Sequence, residues 1–288
     1  NPNEPDGDTL LRWVYSDLGN KKLDEEKNDE ALEYFQKSRD LAKDTDDIIA
    51  TESELAWAYD FLREYEKAYE YLQNIISLGR DDIWVNSELG YCLGGLEKYK
   101  EAIEKYEKAV ELGRNDSWVY ARLGALYKEL EKYDKALENY LKGLEVDPED
   151  IYIICELAWL YDNVEENCEK GLEYLNKAQE LGRDDIWINS ELGWVYNHLR
   201  DYKKALSYLE KAKELGRDDE WITFEIGYSL VRLDKIEEGI GQYKKAIELG
   251  KDDIPTNGEL GYWLDYLEKY DEAFIYLETV SYTHLTLP

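Results

Sequence analysis

The chain has 288 residues, 43% of them hydrophobic and 14% aromatic, which supplies a core and argues against a disordered chain despite 35% charged side chains. Its 66 acidic residues against 35 basic ones give a formal net charge of −31. A surface this negative repels phosphate backbones, so nucleic acid and anionic membranes make poor partners and a basic protein or peptide a better one; solubility is the plainer consequence of the same charge.

Three cysteines, Cys92, Cys155 and Cys168, form no CxxC pair and no disulfide framework, which fits a reducing, cytoplasmic setting. No apolar run approaches the roughly 20 residues of a bilayer span. The chain begins at Asn1 and contains no Met, so the natural N-terminus is expected to lie outside it.

Taken in chain order, residues 1–11 (opening NPNEPDGD) read as a flexible lead-in. A repeated pattern then begins. Leu-Gly-Arg recurs at Leu78, Leu112, Leu181 and Leu215, with Leu249-Gly250-Lys251 as a variant, and three of these intervals are 34 residues long. A second marker, Leu-Gly or a near equivalent, recurs from Leu18-Gly19 to Leu260-Gly261. Together they divide the chain into units near 12–48, 49–82, 83–116, 117–150, 151–185, 186–219, 220–253 and 254–280, the last one cut short. The first unit carries about three extra residues around Lys43 to Asp47, and the fifth an insertion near Asn163 to Cys168. No Pro- or Ser-rich linker interrupts them, so one domain over 12–280 is expected. Residues 281–288 (SYTHLTLP) match nothing upstream and break a helix pattern in mid-course. They read as a cloning or assembly scar, and the natural chain is expected to run past Val280.

Each unit reads as two helices. In the third, Tyr99, Ala102, Ile103, Tyr106, Ala109 and Val110 fall at i, i+3, i+4, i+7 spacing, one buried face of a second helix. The first helix is expected to bury Ile83, Leu89, Gly90, Leu93 and Leu96, with Gly90 and Ala102 allowing close approach. Gly113 suits a left-handed helix end, and Asp81-Asp82 suit N-caps. No segment reads as a strand.

A 34-residue helix–turn–helix period is that of the tetratricopeptide repeat, and the chain resembles that family in more than period. Leu123-Gly124…Tyr127 and Leu192-Gly193…Tyr196 match its Leu-Gly-x2-Tyr, and Ala102…Tyr106 and Ala136…Tyr140 its Ala-x3-aromatic. Its late proline is matched once, at Pro148. One departure concerns Trp84, Trp118, Trp187 and Trp221, which stand five residues before the Leu rather than three. The resemblance implies an all-α fold, a right-handed α-solenoid of about eight such units, whose first helices line a concave peptide-binding wall.

On that wall the sequence places an aromatic ladder of Trp57, Trp84, Tyr91, Trp118, Tyr152, Trp159, Trp187, Trp194, Trp221 and Tyr228. Beside it runs an acidic ladder of Glu54, Glu88, Glu156, Glu191 and Glu225. Two readings stand open. In one, each Trp packs on a neighbouring first helix and each Glu pairs with an Arg or Lys of an adjacent unit, the Leu-Gly-Arg arginine being the obvious candidate. In the other, the ladders bind a segment rich in Lys, Arg or apolar anchors, since tryptophan and tyrosine faces attract cations. Lys128, Arg122 and Arg232 read as isolated, which argues against the clamp for terminal carboxylates found in some members of the family.

Enzyme signatures are missing. His198 and His284 are the two histidines, and no GxxxxGK[ST], GxGxxG after a strand, or HExxH occurs. The Asp-Asp pairs lack calcium-loop spacing. The expectation is therefore a non-catalytic scaffold without metal or cofactor; a sensor or regulatory arm of a larger polypeptide is the alternative.

Overall fold

The computed structural model describes residues 6–164 and 166–285, of which 281–285 as backbone alone. Among the described residues there are 16 helices and no strand, and no helix is long and apolar enough to cross a membrane. The chain divides into two compact units, residues 1–150 and 151–288. The division falls just past Pro148, in the turn after the fourth hairpin.

The first unit is four hairpins: α1 (Gly7–Asp24) with α2 (Asn28–Asp40), α3 (Thr45–Phe61) with α4 (Tyr65–Ser77), α5 (Ile83–Gly95) with α6 (Tyr99–Glu111), and α7 (Ser117–Glu129) with α8 (Tyr133–Val146). The second repeats the plan: α9 (Ile151–Asn163) with α10 (Cys168–Glu180), α11 (Ile186–His198) with α12 (Tyr202–Glu214), α13 (Glu220–Arg232) with α14 (Ile236–Glu248), and α15 (Ile254–Tyr266) with α16 (Tyr270–Leu285). Within each unit the second helix of a hairpin packs on the first helix of the next, so each unit is an all-α repeat solenoid.

Helix α1 starts at Gly7, where the Asp6 carboxylate accepts from the Thr9 N–H at 2.9 Å. Residues 7–11 are thus helix where a flexible lead-in was expected, because the Asp6 cap satisfies their first free N–H groups. Residues 1–5 lie outside the described residues. At the other end, 281–285 continue α16, and residues 286–288 of the expected scar lie outside the described residues.

The core stripe differs from the expected one in detail. Ile83 is 37% exposed and Leu96 half-buried, because they sit at the first turn and just past the last turn of α5, where the neighbouring hairpin no longer covers them. Val85, Asn86, Ser87 and Cys92 are buried in addition to Leu89, Gly90 and Leu93. Gly90 allows the close approach of the two helices: a Cβ there would stand 2.9 Å from the Tyr106 ring of α6.

Five of the seven turns between hairpins end on glycine, as at Gly113 (φ +109°), whose N–H bonds to Val110 O while Arg114 N–H reaches back to Ala109 O. This is the doubly bonded Schellman stop. The turns within hairpins use the same bonds with other residues: Arg63, Glu97, Glu131, Arg200 and Asp234 all carry positive φ. The Asp-Asp pairs split their work. Asp82 caps α5 by accepting from the Val85 N–H at 3.0 Å, while Asp81 accepts from Asn86 Nδ2 at 2.7 Å and pairs with Lys108 at the far end of the same hairpin.

Candidate functional site

The first helices carry both ladders, and the turn before each fixes the tryptophan at its second position. Arg80 donates to Asp82 at 2.7 Å and its guanidinium lies 4.9 Å from the Trp84 ring. Arg114, Arg183 and Arg217 repeat this with Asp116, Asp185 and Asp219 at 2.8–2.9 Å, over Trp118 (4.3 Å), Trp187 (5.1 Å) and Trp221 (4.3 Å). The expected pairing of this arginine with a ladder glutamate is therefore replaced. The N-cap aspartate two residues on is already held in place, and its second oxygen captures the guanidinium first. Arg114 and Arg217 still act through space on Glu88 and Glu191.

Two hollows gather part of the predicted set. In residues 1–150, Trp57, Glu88, Tyr91 and Trp118 line a hollow of about 350 Å³ together with Asp60 and Phe61. In residues 151–288, Trp194, Trp221, Glu225 and Tyr228 line one of about 420 Å³ with Asn197 and Phe224. Trp84 is half-buried against the core around Val85 and Leu89. Trp187 lines a separate open hollow beside Gly216 to Asp219. Glu54 accepts from Ser16 Oγ at 2.7 Å. Trp159, Glu156 and Glu191 are half-buried, and Tyr152 is exposed.

The arginines expected to stand alone do not. Arg232 forms a double hydrogen bond to Glu259 at 2.9 and 3.0 Å and lies 3.9 Å from the Tyr228 ring. Arg122 sits between the rings of Trp118 (5.1 Å) and Tyr91 (5.5 Å). Neither guanidinium is spare: Arg232 meets Glu259 of the next hairpin, and Arg122 meets Trp118 of its own helix and Tyr91 of the preceding hairpin.

The floors of the hollows carry buried acids, and in the second Lys251 also lines the hollow, 5.2 Å from the Phe224 ring. Glu225 is 7% exposed, and burial pushes its carboxyl up to about 7 against the help of an Asn197 hydrogen bond. Burial likewise lifts Glu191 to about 7. In the first unit burial raises both Asp60 and Glu88, which face each other, and the Cys92 thiol donates to Asp60 at 2.9 Å. Asp60, Asp162 and Asn197 occupy one repeat position, the twelfth of the sequence units beginning at 49, 151 and 186, and reading the ladders alone missed them. The sequence carried no clear signal for them: Leu23 and Val231 are buried at that same position, but Lys128 is half-buried and Asp265 exposed there. Among the described residues no group of three or more His, Cys, Asp and Glu is arranged to hold a metal.

The tetratricopeptide repeat family model matches residues 117–150, and a second model of the repeat matches 85–116 and 188–219. Among solved structures, YrrB, described as a TPR protein with an unusual peptide-binding site, is 25% identical with a TM-score of 0.52, over 62% of this chain and 91% of its own. PilF of Pseudomonas aeruginosa is 20% identical with a TM-score of 0.61, over 73% and 94%. A tetratricopeptide repeat protein from Parabacteroides merdae is 15% identical with a TM-score of 0.61, over 88% and 99%. No curated protein matches the chain. The chain is a tandem tetratricopeptide-repeat protein. Its role in outline is that of such repeats, a scaffold for protein–protein interaction.

Proposed function

We propose that this scaffold holds a peptide or protein segment with basic or apolar anchors against its first-helix face. The observation that carries the reading is the hollow of about 420 Å³, walled by Trp194, Trp221, Phe224 and Tyr228 over the buried carboxyl of Glu225. Aromatic walls supply apolar anchoring and attract cations, and the acidic floor adds selectivity for a basic side chain. The likeness to YrrB, with its peptide-binding site, supports a peptide as the class of partner. The net charge of −31 supports a basic one.

A selection from a library of short peptides against the immobilised chain tests this. Enriched peptides should carry Lys or Arg beside apolar residues, and Tyr228→Ala should weaken them about tenfold or more, at some cost in melting because the ring also packs on Arg232 and the core around Tyr243. Binding should also weaken as salt rises, because exposed charge pairs are screened. No enrichment, or enrichment of acidic peptides, overturns the reading.

A further inference from the structure

One contact between neighbouring hairpins occurs twice with different chemistry. In residues 151–288 it joins α11 to α13: Asn197 Oδ1 accepts from Ser229 Oγ at 2.7 Å, and Asn197 Nδ2 donates to Glu225 Oε2 at 2.8 Å. In residues 1–150 the same three repeat positions, on α3 and α5, hold Asp60, Cys92 and Glu88. The spacings agree, 32 residues from Asp60 to Cys92 as from Asn197 to Ser229, and 28 from Asp60 to Glu88 as from Asn197 to Glu225. The first bond is kept, because Cys92 Sγ donates to Asp60 Oδ1 at 2.9 Å. The thiol stays a donor, since burial and the neighbouring Asp60 push it up.

The second bond lacks its donor. Where Asn197 offers an N–H, Asp60 offers Oδ2, and two ionised carboxylates only accept. Asp60 is 4% exposed, Oδ2 has no hydrogen-bond partner, and Glu88 faces it. Arg63 and Tyr65 at the α3–α4 turn, Tyr91 on α5, Tyr106 on α6, and Arg114 and Arg122 on the α7 side are the other titratable groups around the pair, and none donates to Oδ2. Arg114 acts on Glu88 through space while its hydrogen bond goes to Asp116. Two bare anions here would combine lost hydration with mutual repulsion, and one proton between them relieves both.

We propose that Asp60 and Glu88 hold one proton between them, and that this carboxyl–carboxylate hydrogen bond is a pH-operated clasp joining α3 to α5. Burial raises both carboxyls, and the charge of Asp60 raises Glu88 further. The shared proton is therefore kept above the ordinary carboxylate range of about 4. The clasp is closed while that proton is bound and is lost as pH rises past its release, when two anions are left opposed and α3 and α5 part at that point. Both acids line the hollow of Trp57 and Trp118, so the clasp acts on that wall. It does not depend on what the hollow binds.

The test is a carboxyl-carbon NMR titration of the full chain labelled at Asp and Glu. Amide hydrogen exchange runs over the same range, corrected for the intrinsic effect of pH. In the parent, Asp60 and Glu88 should titrate together in two separated steps, the upper one above about pH 6. Protection of the α5 amides should fall about tenfold through that step. Asp60→Asn rebuilds the Asn197 arrangement, so it should move the upper step of Glu88 down by about one pH unit or more and level the protection. Glu88→Gln, at a half-buried position, supplies the missing donor from the other side and should level it too. Two independent titrations near about pH 4 overturn the shared proton, as does an upper step that Asp60→Asn leaves in place. Protection that stays level in the parent through the upper step overturns the clasp.

Discussion

Asn197 and Glu225 bind across adjacent hairpins: Asn197 Nδ2 donates to Glu225 Oε2 at 2.8 Å, while Asn197 Oδ1 accepts from Ser229 Oγ at 2.7 Å. Burial outweighs the relief that the Asn197 hydrogen bond gives Glu225 and lifts that carboxyl to about 7. Its folded pKa thus lies above the ordinary value of about 4.3. The stability it contributes is full below that ordinary value and is lost as pH rises through about 7. Glu191, at about 7, and Asp162, at about 8, act in the same sense. The melting temperature should therefore fall between about pH 5 and pH 8, and Glu225→Gln should flatten part of the slope and raise stability at pH 8. A melting temperature that climbs over this range would refute the account.

At lower pH the sign reverses. For the N-cap Asp82, Asp185 and Asp219, burial pushes the carboxyl up but is outweighed by hydrogen bonds from a backbone N–H and the nearby arginine, so all three end below the usual value. Their stability is present above the ordinary aspartate pKa of about 3.9 and is lost as pH falls through their lowered values. Melting by circular dichroism should show a maximum near about pH 5. An Asp219→Asn variant, which keeps a capping side chain but not the charge, should lose less stability at pH 3 than at pH 7 relative to the parent.

The turns inside the hairpins hold non-glycine residues at positive φ, and Glu131 does so at +55°. An L-residue there costs about 1–2 kcal/mol, and replacing it with glycine returns about 0.5–1 kcal/mol of that to the unfolded chain's entropy. Glu131→Gly should raise stability by about 0.5 kcal/mol in urea denaturation. A loss would show that the Glu131 side chain makes a contact that matters.

Glycines on the helices should separate by contact. A Cβ at Gly124 would stand 2.5 Å from the Tyr140 ring, whereas one at Gly258 meets nothing within 4 Å. Gly124→Ala should cost about 1–3 kcal/mol through overpacking, and Gly258→Ala should gain up to about 1 kcal/mol from helix propensity. Equal effects at the two positions would contradict the packing described.

These contrasts show what the sequence made legible. The hairpin period, the helix order and the Leu89, Gly90 and Leu93 stripe follow from spacing, because each hairpin repeats one packing problem. The fate of the Leu-Gly-Arg arginine was not legible, since Asp and Glu compete for it and only the distance from a capped Asp82 or Asp219 decides. Asp162 was hidden for a related reason. In a chain with 66 acidic residues a buried one does not stand out, and its repeat position holds buried Leu23 and Val231 in some units but an exposed Asp265 in another.

The aromatic ladder divides by what already holds each ring, and this separates packing from binding. Trp118 is gripped by Arg114 at 4.3 Å, Arg122 at 5.1 Å and the edge of Tyr106 at 5.7 Å. Trp57 is 42% exposed, and its ring contact is Phe61 at 6.0 Å. Both line the hollow of residues 1–150. Trp118→Ala should therefore cost about 2 kcal/mol, below the 3–5 kcal/mol of a fully buried ring, because the stack and the edge contact are lost with it. Trp57→Ala should cost less than about 1 kcal/mol and leave the helix content intact. If a segment binds on this face as proposed, Trp57→Ala should lose affinity without losing stability, whereas Trp118→Ala should lose both. Paired urea melts and binding titrations check this: affinity untouched by Trp57→Ala would leave the first hollow as packing alone.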